Sequence, residues 1–308
     1  ALSREVKEEA GFELVSAQLI IQYYPSPGIN TRVVHLYFAE IDSQKMGGDH
    51  GMLSEGEQTR VIALNRSTAL DLLRDGKLQT LNATLALQWL QLKLCLPIAN
   101  DDHVKSTDHA IVPSFAHDDM HIEAQEIVFA SYQTLVQYTY RFRLYSGDWS
   151  EYYQGESFLH HAVACILLYD PRQSTVVLVE QFRTGLLDHE RSPWVLEIPG
   201  GVIDDGESPQ EAASREVSEE VGIEIVAPRL IRQFYPTVGV SSELAHLYYA
   251  EIDSSLVAGV HGAADESEDI LAHVLPCTMV FDLMQHGRIK DGRTLAALQW
   301  LKLQLPSR

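Results

Sequence analysis

Hydrophobic and polar residues alternate with a period of two along several segments, which is the pattern of strands with one buried face. Longer apolar runs around Asp170-Pro171 are typical of strands buried on both faces. Ser146-Gly147-Asp148 supplies turn residues between two of the segments. The predicted strands are 126–130, 136–144, 161–169, 175–181, 194–198, 229–234, 245–252 and 272–275.

The periodicity becomes helical after Ser208. Its hydroxyl can cap a helix, Pro209 suits the first helical position, and Glu211 can complete a capping box. We predict a helix from Pro209 to Val221 that stops at Gly222, which tolerates a left-handed conformation. Two further helices are predicted at 278–285 and 294–303. Mixed strands with few helices indicate an α+β sandwich.

The chain contains an internal repeat with an offset of 211 residues. Without a gap, about 40 of the first 94 positions are identical to their counterparts. Arg4–Gly11 matches Arg215–Gly222, and Gln88–Leu90 matches Gln299–Leu301. The chain is therefore a duplicated domain.

The second copy has a long preceding segment that the first copy lacks. We predict an incomplete domain over 1–97, a linker over 98–124 and a complete domain over 125–308. We expect the chain to be a piece of a longer tandem protein; a natural half-domain that borrows its missing strands is the alternative. The linker is rich in Asp and His, which suits a solvated polar segment or, alternatively, a metal site.

The 308 residues carry 43 acidic and 23 basic side chains, for a net charge of -20. This surplus argues against a general nucleic-acid binder, which needs a basic surface. A hydrophobic content of 45% is enough for a sizeable core, and no apolar run predicts a membrane span. Three separated cysteines argue against a disulfide framework and favour a reducing, cytoplasmic compartment.

Three carboxylates, Glu216, Glu219 and Glu220, lie on one face of the predicted helix. Such a cluster is self-repulsive unless a positive charge lies within it. Oxygen ligands suit Mg²⁺, with Mn²⁺ as a second option. Taken alone, the pattern also fits a solvated acidic helix face.

The wider pattern removes that ambiguity. Gly201 is followed by Glu207, Arg215-Glu216-Val217, Glu219-Glu220 and Gly222-Ile223 at fixed spacings. This resembles the Nudix box, the signature of hydrolases that cut a nucleoside diphosphate linked to another moiety. Over about 180 residues the chain resembles the ADP-ribose pyrophosphatases of that superfamily. The supporting segments are 179–183, 194–197, 261–270 and 298–301.

The resemblance implies a Nudix fold, with mixed β-sheets in an α/β/α sandwich and an N-terminal antiparallel strand region. It implies that Glu216, Glu219, Glu220 and the carbonyl of Gly200 bind metal. The residues implied to brace the loop and helix are Gly201, Glu207, Arg215 and Gly222.

The general base of the family lies on an acidic loop, which implies Glu266 here, with Glu268 as second choice, acting on the attacking water. A flexible acidic loop is the alternative. Arg183 matches a phosphate clamp, or a surface salt bridge. Glu156 and Glu243 align with substrate-contacting positions, and Tyr132 stacks on adenine or belongs to the core.

The implied reaction is hydrolysis of ADP-ribose to AMP and ribose 5-phosphate. The alternatives are another nucleoside diphosphate sugar, or a nucleotide-binding module without activity. Gln154-Gly155 stands where the family leads us to expect arginines, which leaves the substrate open. The implied partner is a small molecule, and the implied assembly is a homodimer or an intramolecular pseudo-dimer formed by the two copies.

The first copy retains part of the same pattern. It keeps the residues that match the box helix and the acidic loop, but it lacks the box glycine and all upstream strands. Arg32 replaces Glu243, and Asn30-Thr31 replaces Ser241-Ser242. We expect it to be unable to form a complete site by itself. The retained residues are Arg4, Glu5, Glu8, Glu9, Gly11, Glu55 and Glu57.

Overall fold

The structure is a computed structural model that describes residues 2–42, 47–52, 56–94, 115–189, 192–257, 259–262 and 268–306. In the first copy these residues form helices α1 (Leu2–Ala10), α2 (Arg66–Arg74) and α3 (Leu81–Lys93). The strands of this copy are β1 (Gln18–Tyr23), β2 (Val34–Phe38), β3 (Gly48–His50) and β4 (Thr59–Val61).

Three antiparallel strands come next and form a separate sheet in the order β5-β6-β7. They are β5 (Met120–Ala130), β6 (Thr134–Phe142) and β7 (Tyr153–Leu159). The strand β5 begins inside the predicted linker 98–124, and most of that linker lies outside the described residues. The strand β7 was missed at the sequence level, because Gln154 and Gly155 interrupt its alternation.

The rest of the second copy contains one large sheet and three helices. Its strands are β8 (Val163–Asp170), β9 (Thr175–Phe182), β10 (Trp194–Glu197), β11 (Gly200–Val202), β12 (Arg229–Phe234), β13 (Ala245–Glu251), β14 (Val260–His261) and β15 (Ile270–Pro276). Its helices are α4 (Pro209–Val221), α5 (Cys277–Gln285) and α6 (Gly292–Gln304).

The large sheet runs in the order β12-β13-β8-β9-β15-β14, with β10 paired to β9 and β11 paired to β8. The pair β13 and β8 is parallel, whereas the other pairs are antiparallel. This mixed sheet, with helices on both faces, confirms the predicted α+β class and the sandwich.

The central strand β8 is buried along its whole length, as its apolar run predicts. Residues of alternate parity face opposite sides: Ile166 packs with Val217 of α4, and Leu167 packs with Leu298 of α6. The box helix α4 therefore covers one face of the sheet, and α6 covers the other. Cys165 on this strand and Cys277 are buried free cysteines.

The two copies pack on each other through helices α3 and α6 and through two short backbone bridges, Tyr24 to Asp291 and Thr80 to Tyr235. Because the repeat offset relates Tyr24 to Tyr235 and Thr80 to Asp291, the two bridges are the same contact made in both directions. We call these residues the copy seam. Tyr23, Leu81 and Leu85 of the first copy belong to the hydrophobic core around α6, so one core spans the seam.

In the part of the chain that the structure describes, every helix is too short or too polar to cross a membrane.

Candidate active site

The box helix α4 begins and ends as predicted. The Ser208 hydroxyl accepts a hydrogen bond from the Glu211 amide, and the Glu211 carboxylate accepts one from the Ser208 amide. Gly222 closes the helix with φ of 74°, the left-handed conformation that glycine adopts without strain. A side chain there would also clash with His261. These contacts fix the direction of the carboxylate face.

Arg215 ties the helix to the loop before it. It donates to both carboxylate oxygens of Glu207, at 3.0 and 3.1 Å, and to the carbonyl of Val202 at 2.9 Å. The hydrogen bond from Arg215 lowers the pKa of Glu207 below its ordinary value. The structure therefore gives Glu207 and Arg215 the bracing contacts that the resemblance implies.

Arg215 also separates two of the helix carboxylates. Its Nη1 donates to Glu216 at 2.7 Å and to Glu219 at 3.0 Å. Glu219 is exposed, whereas Glu216 and Glu220 are buried against the sheet. In the described part of the chain, no group of three or more His, Cys, Asp and Glu side chains is arranged to hold a metal ion.

The two buried carboxylates have strongly perturbed acidity. Burial, only partly offset by Arg215, raises the pKa of Glu216 to about 7. Burial and repulsion from Glu216 raise the pKa of Glu220 well above its ordinary value. Glu220 does accept a hydrogen bond from the amide of Gly200, at 2.8 Å. A buried acidic pair of this kind stores an unfavourable charge that a cation relieves.

Two adjacent glycines let the backbone approach this pair. A Cβ on Gly201 would overlap the carboxylate of Glu216. A Cβ on Gly200 would overlap the backbone of Ala164 and Cys165 on the neighbouring strand. The backbone conformation and the neighbouring strand therefore require glycine at position 200, whereas a side chain at position 201 would displace the end of Glu216.

Arg183 follows strand β9 and is held by one buried acid. Its Nε and Nη2 donate to the same oxygen of Glu197, at 2.8 and 2.6 Å. Burial raises the pKa of Glu197, and Arg183 opposes that rise. The contact is a buried ion pair rather than the surface salt bridge that was the alternative. Its third nitrogen, Nη1, faces Gly28 of the first copy.

A loop of the first copy, residues 24–32, lies against this part of the second copy. We call it the first-copy loop. The hydroxyl of its Ser26 donates to Glu243 at 3.0 Å, and both side chains are buried. The carbonyl of Thr31 lies 3.0 Å from Nε2 of His189, whose ring also packs on Tyr24. Arg183 and Glu243, both predicted substrate contacts, are therefore enclosed by the other copy.

The remaining predicted substrate contacts lie on the three-stranded sheet. Glu156 is exposed on β7, where it accepts a hydrogen bond of 3.5 Å from Gln137. Tyr132 lies in the turn between β5 and β6 and is 91% exposed, so it is not a core residue. Its neighbour Gln133 donates to the carbonyl of Ile29, which places this turn beside the first-copy loop.

The acidic loop is only partly described. Glu266, the first choice for the general base, lies outside the described residues. Glu268 is half-buried and accepts a hydrogen bond of 3.1 Å from Gln181. Its charge contributes to raising the pKa of both Glu216 and Glu220, so it lies on the same side as the box carboxylates.

The first copy carries the remnant of the same arrangement on α1. Arg4 pairs with Glu5 and Glu8, and burial, followed by repulsion from Glu57, raises the pKa of Glu9. Glu55 lies outside the described residues. The turn that follows β6 of the second copy contacts the first copy next to β4, since Gln58 accepts from the Tyr145 amide at 3.0 Å.

Sequence reasoning assigned no role to Ser26, Glu197, Asp291 and Arg293, which the structure places around Arg183 and Glu243. Ser26 and Glu243 are separated by 217 residues, and no local pattern links them. A signal was nevertheless present in the comparison of the copies. Asp291 and Arg293 correspond to Thr80 and Asn82, so the charges differ between otherwise similar segments.

Comparison with known proteins places this geometry in a family. The sequence profile described as NUDIX domain matches residues 159–297, which include the whole of α4 and its loop. The match to this family therefore includes the segment that carries the buried carboxylates.

Individual relatives narrow the class. An ADP-ribose pyrophosphatase of Escherichia coli K12 is 34% identical over 190 residues, covering 62% of this chain and 91% of the relative. One of Haemophilus influenzae is 33% identical over 195 residues, covering 62% and 90%. A GDP-mannose pyrophosphatase of Escherichia coli UTI89 is 33% identical over 141 residues, covering 46% and 73%. The chain belongs to the Nudix hydrolase family, in its ADP-ribose pyrophosphatase type, and is a pyrophosphatase of that family.

Proposed function

We propose that the second copy hydrolyses ADP-ribose to AMP and ribose 5-phosphate with the help of a divalent cation. The observation that carries this proposal is the buried pair Glu216 and Glu220, set beside the Arg183 ion pair. Carboxylates next to a buried guanidinium form a site for a diphosphate together with its cation. The relatives named for ADP-ribose hydrolysis support the substrate.

The oxygen chemistry of the carboxylates suits Mg²⁺, with Mn²⁺ as the alternative. Glu216 and Glu220 are oxygen donors whose raised pKa values reflect burial without enough compensating positive charge. Glu219, on the exposed side of α4, and the carbonyl of Gly200 would complete the set. When bound, the cation neutralises charge that develops on the diphosphate.

The chain's own residues perform the remaining steps. Arg183 binds a phosphate oxygen, and Glu243, held by Ser26 of the first copy, orients the substrate. Glu266, or Glu268 in its place, takes the proton of the attacking water. Glu207, Arg215, Gly201 and Gly222 keep the carboxylates in place, and Glu156 and Tyr132 contact the nucleotide.

The decisive variant is Glu220→Gln. It removes a carboxylate charge but keeps the acceptor for the Gly200 amide, so the fold is retained. We expect turnover of ADP-ribose to fall by about a hundredfold or more, as for other groups that stabilise transition-state charge. Glu224→Gln is the matched control, because Glu224 is exposed and contacts Ser218 instead. Equal rates for wild type and Glu220→Gln would refute the proposal.

A second candidate is the hydrolysis of another nucleoside diphosphate sugar. Gln154-Gly155 in place of arginines supports it, and so does the relative named for GDP-mannose. Gly155 has little room for a side chain, since a Cβ would lie 3.0 Å from the Tyr140 ring. A panel of ADP-ribose, GDP-mannose and other nucleotide sugars, compared by kcat/KM, decides between the two.

For the assembly, we propose that the two copies form a pseudo-dimer within one chain. The reciprocal bridges of the copy seam and the shared core around α6 support it. In this arrangement the first copy contributes its loop to the second copy's site and acts as a binding module without activity. Light scattering of the intact chain tests the proposal, because a homodimer of chains would double the mass expected for 308 residues.

A further inference from the structure

Arg293 occupies an unusual position for a cation. It is the second residue of α6, and its side chain is only 13% exposed. A positive charge in the first turn of a helix faces the positive end of the helix dipole, which is unfavourable. Burial adds a desolvation cost. The position is therefore stable only if neighbouring negative charges compensate it.

Three acids supply that compensation. Although burial alone lowers the pKa of a guanidinium, three carboxylates hold the pKa of Arg293 above its ordinary value. Asp291 is in direct contact, with its Oδ1 3.5 Å from Nε of Arg293, and Glu243 and Glu197 add their charges. We call these four residues and Arg183 the charge cluster.

Each acid of the charge cluster also makes a contact with another group. Asp291 caps α6 by accepting from the Thr294 amide at 2.7 Å, and its segment forms the copy seam with Tyr24. Glu197 holds Arg183, and Glu243 accepts from Ser26. One oxygen of Glu197 and one of Asp291 are buried and, among the described residues, make no hydrogen bond. Arg293 therefore supplies a positive charge beside three acids that also bind other groups.

The first copy shows that ordinary helix packing does not require this cluster. At the corresponding positions it has Thr80 for Asp291, Asn82 for Arg293 and Arg32 for Glu243. There the side chain of Asn82 accepts a hydrogen bond from Tyr23, so a neutral contact serves the same helix start. The charges belong to the copy that holds the complete box.

We propose that Arg293 is a positioning residue for the Arg183 phosphate clamp, which it protects by balancing the combined charge of Asp291, Glu243 and Glu197. With Arg293 present, Arg183 is left to Glu197 and keeps its orientation toward the substrate. Without it, an uncompensated acid competes for Arg183 and draws the guanidinium away from the phosphate. The inference rests on the proposed function, because it assigns Arg183 to the diphosphate.

The first test compares Arg293→Met with Arg293→Lys. We expect Arg293→Met to raise KM for ADP-ribose by about tenfold or more, as for loss of one partner of a buried charge pair, with kcat within about threefold of wild type. Arg293→Lys keeps the charge, so its KM should lie close to that of the wild type. An unchanged KM in Arg293→Met, even with a lower melting temperature, shows a merely structural residue and overturns the proposal.

The second test restores the charge balance. Asp291→Asn retains a helix cap but removes one acid, so Asp291→Asn/Arg293→Met should return KM to within about threefold of wild type. If the KM of the double variant is as high as that of Arg293→Met alone, Arg293 contacts the substrate directly and the proposal fails. If Arg293→Met does not fold, the KM of the double variant decides the question by itself.

These outcomes are separable from the proposed function. If the wild-type chain binds ADP-ribose without hydrolysing it, the proposed reaction fails. Dissociation constants measured by calorimetry for wild type, Arg293→Met, Arg293→Lys and the double variant then replace KM, and the same pattern is expected. If the wild-type chain does not bind ADP-ribose, both the proposed function and the proposed role of Arg293 are refuted.

Discussion

The hydroxyl of Ser26 donates a hydrogen bond of 3.0 Å to the carboxylate of Glu243, although 217 residues of chain separate them. Ser26 belongs to the first copy and Glu243 to the second, and both are nearly fully buried. The charge of Glu243 also helps to hold the pKa of the buried Arg293 above its ordinary value. The first copy thus supplies a hydrogen-bond donor to an acid that we propose as a substrate contact of the second copy.

Removing this donor should destabilise the chain and weaken substrate binding. In Ser26→Ala the buried Glu243 loses a hydrogen bond, which costs about 1–3 kcal/mol. We expect a lower free energy of unfolding in urea and a higher KM with little change in kcat. Ser146→Ala is the control, because Ser146 lies in an exposed turn where its hydroxyl contacts Asp148. Equal effects of the two substitutions would contradict the role of Ser26.

The approach of Gly201 to Glu216 provides a sharp test of the box geometry. In Gly201→Ala the new Cβ overlaps the Glu216 carboxylate, which must rotate away from the proposed cation site. We expect a loss of activity of about tenfold to a hundredfold, with a small change in melting temperature. The higher cation concentration needed for half-maximal activity measures the displacement directly.

Gly239→Ala is the matched control for that experiment. No atom lies within 4 Å of a Cβ built on Gly239, so the substitution adds a methyl group in open space. It should leave both activity and cation dependence unchanged. If Gly201→Ala behaved in the same way, the close approach would have no role in holding the carboxylate.

The box helix could be predicted from sequence because its signals are local. Ser208, Glu211 and Gly222 lie within a turn of the helix ends that they define, and the structure uses all three. The six longer strands of the large sheet were predicted from their apolar runs, whereas the short strands β11 and β14 were missed because they span only three and two residues. The carboxylate set followed from the spacing of Glu216, Glu219 and Glu220 on that helix.

The copy seam and the charge cluster could not be predicted in the same way. The repeat shows that Tyr24 corresponds to Tyr235, but not that Tyr24 pairs with Asp291 of the opposite copy. The charge on Arg293 depends on acids from three different segments, which only the folded chain brings together. Long-range contacts of this kind leave no periodicity in the sequence.

The acidity of the buried carboxylates predicts how stability depends on pH. Burial raises the pKa of Glu216 from 4.5 to about 7 and also raises that of Glu220 well above its ordinary value. The folded state therefore binds more protons than the unfolded state above pH 4.5. The stability from these groups is present below the unfolded pKa and is lost as the pH rises through the folded pKa.

We therefore expect the melting temperature of the cation-free chain to fall between pH 5 and pH 8, the window spanned by the raised pKa of Glu216, about 7. Mg²⁺ should reverse the fall at the upper end, where Glu216 is ionised, and have little effect at the lower end. Calorimetric scans with Mg²⁺ or with a chelator measure both effects. In Glu220→Gln the Mg²⁺ effect at pH 8 should shrink markedly; if it persisted, the cation would bind elsewhere.

The contact between Gly185 and the first-copy loop predicts how strongly the second copy depends on the first. A Cβ on Gly185 would overlap the carbonyl oxygens of Pro27 and Asn30, which belong to backbone and cannot rotate away. Gly185→Ala should therefore displace the loop from Arg183 and raise KM for ADP-ribose by about tenfold, the effect expected for loss of one well-packed binding contact. Gly239→Ala again serves as control. A second variant shortens the loop by deleting Gly28. If neither variant changed KM, the second copy would bind its substrate independently of the first-copy loop. The pseudo-dimer would then have no part in the site.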